Sequence, residues 1–226
     1  MTTSPIKSSP ASTRSRWLSA AELCVAAIAV IGHNVFRVLP NEVPVLVVLA
    51  LISARLREKS WSALGFRPPS SWRLVGLVAV AFVAVRWGVG ALVEAITAHF
   101  WPPIVGPKGM NQIVGNPLAA LAALGLVWTF AAFGEEIGYR GYIMKRAADA
   151  GGGGRIAWVL ALIAASVLFG FGHYYKGPAG VLDSGISGLL MGAVFLMSGR
   201  CLWTCILAHG LSDTVAVVLT YFGLNN

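Results

Sequence analysis

The sequence predicts an all-α fold, a polytopic bundle of about seven transmembrane helices, seven to eight if the longest one breaks. Three observations carry this expectation. Hydrophobic residues make up 57% of the 226 residues and charged residues only 12%, about half the share of roughly 25% found in soluble domains. The mean hydropathy is +0.74. The apolar residues fall in runs near 20 residues, the length that crosses a bilayer core. Most basic residues, with many Pro and Gly, lie between the runs.

Each element can be justified in turn. Residues 1–16 are polar and rich in Ser, Thr and Pro, which predicts a disordered cytoplasmic tail without a cleavable signal pattern. A first span is expected over 17–39 and, after the turn Pro40 to Pro44, a shorter second one over 45–56. Arg55 to Arg73 is a basic connection, and 74–100 is the third span. Residues 101–116 hold Trp-Pro-Pro, Gly-Pro-Lys-Gly and Asn-Pro, so they read as a loop that closes the N-terminal region 17–116. Pro117 then opens a helical stretch to Ala148, about 48 Å at 1.5 Å per residue. A bilayer core is about 30 Å thick. This helix must protrude, tilt or break, with Gly125 and Gly134 as candidate break points. After the glycine loop Asp149 to Gly154 come spans over 155–174, 178–198 and 201–222. The region 117–222 forms a second unit, the core that carries the polar motifs.

The net charge of +8 does not indicate nucleic-acid binding, because the basic residues sort by side. Lys7, Arg14 and Arg16 precede the first span. Arg55, Arg57, Lys59, Arg67 and Arg73 separate the second and third. Lys145, Arg146 and Arg155 flank the glycine loop, and Arg200 lies before the last span. Arg37, Lys108 and Lys176 fall on the other side. This bias puts the N-terminus in the cytoplasm of a multi-pass protein of the cell membrane. Cys24, Cys201 and Cys205 lie in apolar segments without paired ligand spacing and read as small core residues.

The chemistry gathers around Gly134-Glu135-Glu136-Ile137-Gly138-Tyr139-Arg140. Charges inside a membrane are expensive and are kept for function or for a partner. Glu136 and Arg140 have the spacing of a helical ion pair, which leaves Glu135 without a local partner. His173 ends Phe169-Gly170-Phe171-Gly172-His173, and His209 and Asp213 share a helical face. Counting at 1.5 Å per residue from Lys145, Trp158 and Arg200 puts Glu135, His173 and His209 about 15, 22 and 14 Å deep. Three helices would then present them at similar depth. A single membrane histidine often serves only an interhelical hydrogen bond, and this coincidence argues for more. Gly138, Gly141, Gly170, Gly172, Gly185, Gly188, Gly192 and Gly210 read as packing residues. His33, Asn34, Arg86, Glu94 and Asp183 read as structural.

Such a set can activate water. Glu135 accepts the proton, His173 fixes the water, and a second histidine donates to the oxyanion of a tetrahedral intermediate. Glu135, His173 and His209 are also the candidate ligands of a divalent metal such as zinc. A proton-coupled transporter uses similar groups.

Three motifs in order, Glu-Glu-x-x-x-Arg (Glu135, Glu136, Arg140), Phe-x-x-x-His (Phe169, His173) and His-x-x-x-Asp (His209, Asp213), resemble those of the CPBP family. That family takes in CAAX prenyl endopeptidases and bacteriocin-processing and immunity proteins. The resemblance covers 117–220. It implies an intramembrane endopeptidase acting on a membrane-associated protein or peptide. Glu135 with His173 would activate water, His209 with Asp213 would form the oxyanion site, and Glu136 with Arg140 would hold the helix. Asp213 stands where the prenyl enzymes have Asn. An ionised Asp cannot donate a hydrogen bond, so Asp213 is expected to be protonated or to orient His209. The alternative is a non-catalytic scaffold or immunity protein that grips a membrane partner.

Overall fold

The computed structural model describes residues 13–104 and 109–224. Its main helices are α1 (Thr13–Asn34), α2 (Glu42–Ser53), α3 (Trp72–Thr97), α4 (Pro117–Ala150), α5 (Arg155–Phe171), α6 (Gly177–Met197) and α7 (Leu202–Tyr221). Among the described residues there is no strand. The fold is a polytopic helical bundle.

Helix starts follow from local chemistry. Asn41, Ser71 and Asn116 each sit in extended backbone and accept a hydrogen bond from a backbone N–H of the first turn of α2, α3 and α4. This satisfies donors that the helix itself leaves unpaired. Pro117 takes the first position of α4, where its missing N–H is no loss. Helix α1 begins at Thr13, so 13–16 are helical and not tail. Residues 1–12 and Lys108 lie outside the described residues.

Among the described residues, five segments are long and apolar enough to cross a membrane: Ser15–Asn34, Trp72–Thr97, Pro117–Ala150, Tyr174–Met197 and Leu202–Tyr221. Helix α2 has 12 residues, about 18 Å, and α5 has 17, about 26 Å. Both fall short of a core about 30 Å thick. The expected spans correspond to helices of which five have full spanning length among the described residues.

The long helix α4 breaks at neither Gly125 nor Gly134. It runs on, but Val127–Met144 is wound as a π-helix. Bonding from i to i+5 puts more residues in each turn and shortens the rise. This is how a segment of 34 residues is shortened without a break, and it makes the depth expected for Glu135 at 1.5 Å per residue too large.

Helix α2 and the π-wound part of α4 pack together, as do α4 and α7, α3 and α7, and α5 and α6. Two glycines set the first contact. A Cβ on Gly134 would stand 2.5 Å from Val43 Cγ1, and one on Gly138 would stand 3.0 Å from Leu46 Cβ. Side chains there would push α2 away. Between α5 and α6 a Cβ on Gly170 would meet the Val181 carbonyl at 2.7 Å. The buried apolar centre includes Leu46, Tyr139, Ile143, Phe169, Leu202 and Ile206. Cys24, Cys201 and Cys205 are free.

Buried charge is paired across helices. Arg146, read from the sequence as a loop-flanking topology residue, is fully buried. Its guanidinium meets Glu58 at 2.7 and 2.9 Å, Glu22 at 2.9 Å, Asp149 at 2.9 Å and Ser53 at 2.8 Å. Arg57 binds the other oxygen of Glu22 at 2.7 Å. Arg86 of α3 binds Asp183 of α6 at 2.6 Å, and His33 lies 3.4 Å from Glu42.

Candidate active site

The site is built on the π-wound part of α4. Glu136 is wholly buried, and its Oε1 accepts from Arg140 Nη1 at 2.9 Å. The same oxygen lies 2.7 Å from His209 Nδ1 of α7. Arg140 also reaches the Gly188 carbonyl on α6 at 3.4 Å, and its guanidinium lies 4.6 Å from the centre of the Phe169 ring. Helices α4, α5, α6 and α7 therefore meet on one carboxylate–guanidinium pair. A paired buried charge escapes the penalty that a solitary one would carry.

Helix α7 reaches this point because Gly210 lets it close on α4. A Cβ there would stand 2.6 Å from the Trp128 ring. His209 Nε2 lies 3.5 Å from Asp213 Oδ2, and the Asp213 side chain is 38% exposed. The ring is thus gripped at Nδ1 by Glu136, with Asp213 more distant at the other nitrogen. Glu136 is thus the nearer of the two carboxylates that face the His209 ring.

His173 is not inside a helix, as the span 155–174 implied. Helix α5 ends at Phe171, and His173 opens the turn Tyr174–Lys176 before α6. The turn closes at Gly177, with φ +78°, a region that favours glycine. His173 Nδ1 lies 2.9 Å from the Phe169 carbonyl. A carbonyl only accepts, so Nδ1 carries a proton, and in the neutral ring Nε2 then keeps its lone pair. The Phe169 ring lies 4.7 Å from the His173 ring and 6.4 Å from the His209 ring, wedged between the two histidines.

Among the described residues Glu135 has no ion pair, and its Oε2 is buried without a hydrogen-bond partner. Its electrostatic neighbours are His209, Asp213, Glu136 and Arg140. Those of His173 include His209, Arg140 and Lys176. The motif residues from α4, α7 and the α5–α6 turn thus share one neighbourhood. The Tyr139 hydroxyl is also buried without a hydrogen-bond partner, and Tyr139 packs edge-on to Phe169 at 4.9 Å. The sequence marked Tyr139 only by its place in the motif.

Among the described residues no group of three His, Cys, Asp or Glu side chains is placed to hold a metal ion. Glu135, His173 and His209 as arranged are not a ready ligand set. An apolar groove of about 660 Å³ between α5 and α6 is lined by Trp101, Ile163, Gly170, Val181 and Leu189 among others, and by none of the motif carboxylates or histidines.

Residues 117–215 match the model of a family described as type II CAAX prenyl endopeptidase, Rce1-like. No curated protein and no solved structure matches the chain.

Proposed function

We propose that this multi-pass membrane protein, whose residues 117–215 match the type II CAAX prenyl endopeptidase model, is an intramembrane protease of the CPBP type that hydrolyses peptide bonds of a membrane-associated protein or peptide. The observation that carries the reading is the buried, unpartnered Glu135 oxygen beside a His209 already held through Nδ1. Glu136 is ion-paired through Oε1, although its Oε2 is likewise buried without a hydrogen-bond partner, whereas Glu135 has no ion pair among the described residues.

In this reading a water gives one proton to the Glu135 carboxylate while its oxygen attacks the scissile carbonyl carbon. The His173 Nε2 lone pair, left free by the Nδ1 contact, accepts the second water hydrogen and fixes the attack direction. The carbonyl oxygen becomes an oxyanion. His209 donates to it from Nε2, which requires the ring to carry both protons, one shared with Glu136. When the C–N bond breaks, Glu135 returns its proton to the leaving nitrogen. The products are a new carboxyl terminus and a new amine. No step is routed through a metal. The excess of basic residues at the N-terminus, 55–73 and the glycine loop favours a cytoplasmic N-terminus.

The test uses wild type and Glu135→Gln in liposomes with membrane peptides and membrane proteins, reading new termini by mass spectrometry. Wild type is expected to generate termini that the variant lacks, with a rate ratio on the order of a hundredfold to ten-thousandfold. Cutting is expected to continue in a strong chelator. Equal termini from both proteins would remove Glu135 from the chemistry. No termini from either would leave the scaffold reading, in which the fold modulates a membrane partner.

A further inference from the structure

Among the described residues, one inward cation stands apart from the rest. Arg57, Arg86, Arg140, Lys145 and Arg146 each have a carboxylate partner within 3.2 Å. Lys176 has no ion pair among the described residues, and the remaining residues of the chain hold no acidic side chain. Its backbone N–H donates to the His173 carbonyl at 2.9 Å in the turn that carries that histidine. Its ammonium lies 5.9 Å from the Tyr175 ring, and Tyr175 lies 6.1 Å from the His173 ring. Lys176 is half-buried, and the acidic groups in its electrostatic range are Asp183, Asp213 and Glu135. Asp183 is already bound by Arg86.

A half-buried ammonium without a counter-charge is unfavourable, and Lys176 sits in the same turn as His173. Among the described residues, the inward charges without an ion pair include Glu135, to which chemistry is assigned above, and Lys176, whose electrostatic range reaches it. We infer that Lys176 binds a carboxylate of the peptide substrate close to the scissile bond and so acts as a specificity-determining residue. This rests on the protease reading. A single ammonium among carboxylates suits a monoanion. The carboxylate can be the substrate's C-terminus or an acidic side chain, since both offer the same two oxygens.

The test uses full-length wild type, Lys176→Met, Lys176→Arg and Glu135→Gln in liposomes of neutral lipid. The probes are membrane peptides made in matched forms: a free C-terminal acid, the C-terminal amide, and each of these with an internal Glu or Gln. Cleavage is read by mass spectrometry. Binding of the same peptides, fluorescently tagged, is read on Glu135→Gln alone and combined with Lys176→Met. Wild type is expected to favour one carboxylate form over its neutral match by about tenfold or more, the range of a charge-assisted hydrogen bond. Lys176→Met is expected to lose that preference through KM with kcat largely kept, and Lys176→Arg to retain most of it. The acid-over-amide and Glu-over-Gln pairs identify the source of the carboxylate. Equal use of carboxylate and neutral forms by wild type, or an unchanged preference in Lys176→Met, overturns the inference and leaves the protease reading intact. If nothing is cut, the protease reading fails. Tighter binding of carboxylate forms that depends on Lys176 would then still support the site, and indifferent binding would remove both.

Discussion

Oε1 of Glu136 is a shared acceptor: His209 Nδ1 lies 2.7 Å from it and Arg140 Nη1 lies 2.9 Å from it. One carboxylate thereby fixes a candidate reactive ring on α7 and a guanidinium on its own helix. Breaking a buried pair by removing one partner costs about 3–5 kcal/mol, because the other charge stays buried. Arg140→Ala is expected to destabilise by that order, measured as thermal or denaturant unfolding in detergent. Arg140→Lys is expected to recover only part of it. An ammonium keeps the charge but not the planar group that lies over Phe169 and reaches Gly188.

The contact between α2 and α4 can be tested by steric substitution. Gly134→Ala adds helix propensity of about 1 kcal/mol, yet its Cβ would stand 2.5 Å from Val43 Cγ1. Val is stiff at its first torsion, so the overlap cannot be relieved by rotation alone, and overpacking of this kind costs about 1–3 kcal/mol. The net expectation is destabilisation. Adding Val43→Ala is expected to restore much of the loss, so the double variant unfolds later than Gly134→Ala alone. A Gly134→Ala variant as stable as wild type would mean that α2 shifts freely.

Much of this architecture was legible because membrane helices declare themselves as apolar runs, and because Glu135, Glu136 and Arg140 interrupt one such run. The ion pair of Glu136 with Arg140 follows from spacing alone. The π-winding of 127–144 was not legible, since an apolar segment buried on several sides carries no periodicity that separates 3.6 residues per turn from a wider coil. Arg86 and Asp183 each read as structural, but their pairing spans 97 positions, which no local rule connects. Arg146 was taken for a topology marker because a basic residue beside a loop gives the same signal whether it is solvated or buried. The displacement of His173 into a turn had a signal in Gly170, Gly172 and Gly177, which bracket the end of α5.

The charge cluster around Arg146 should make stability fall in acid. Burial alone would raise the Glu58 carboxyl, but the Arg146 guanidinium and the Lys145 ammonium outweigh it and hold Glu58 below its usual value of 4.5. A carboxyl depressed in the folded state stabilises fully above the unfolded value and loses that contribution as pH falls through the folded value. Unfolding midpoints are therefore expected to drop as pH goes below about 4.5. Glu58→Gln, already neutral, should show a shallower fall over the same window. Parallel curves for the two proteins would place the acid sensitivity in other carboxylates.

Asp213 offers the sharpest contrast with Glu136. Both flank His209, but Asp213 Oδ2 lies 3.5 Å from Nε2 and its side chain is partly exposed, whereas Glu136 lies 2.7 Å from Nδ1 and is wholly buried. If Glu136 sets the ring's orientation, Asp213→Asn keeps size and polarity while removing only a distant charge. It is expected to retain cleavage within about tenfold of wild type, a barrier change under about 1.4 kcal/mol. Glu136→Gln keeps one acceptor oxygen but leaves Arg140 buried without a counter-charge, and is expected to lose far more activity together with stability. The comparison needs initial cleavage rates and unfolding midpoints for the two variants in the same lipid. A near-total loss in Asp213→Asn with unchanged folding would reverse the ranking and make the Asp213 charge the feature that holds His209 ready for the oxyanion.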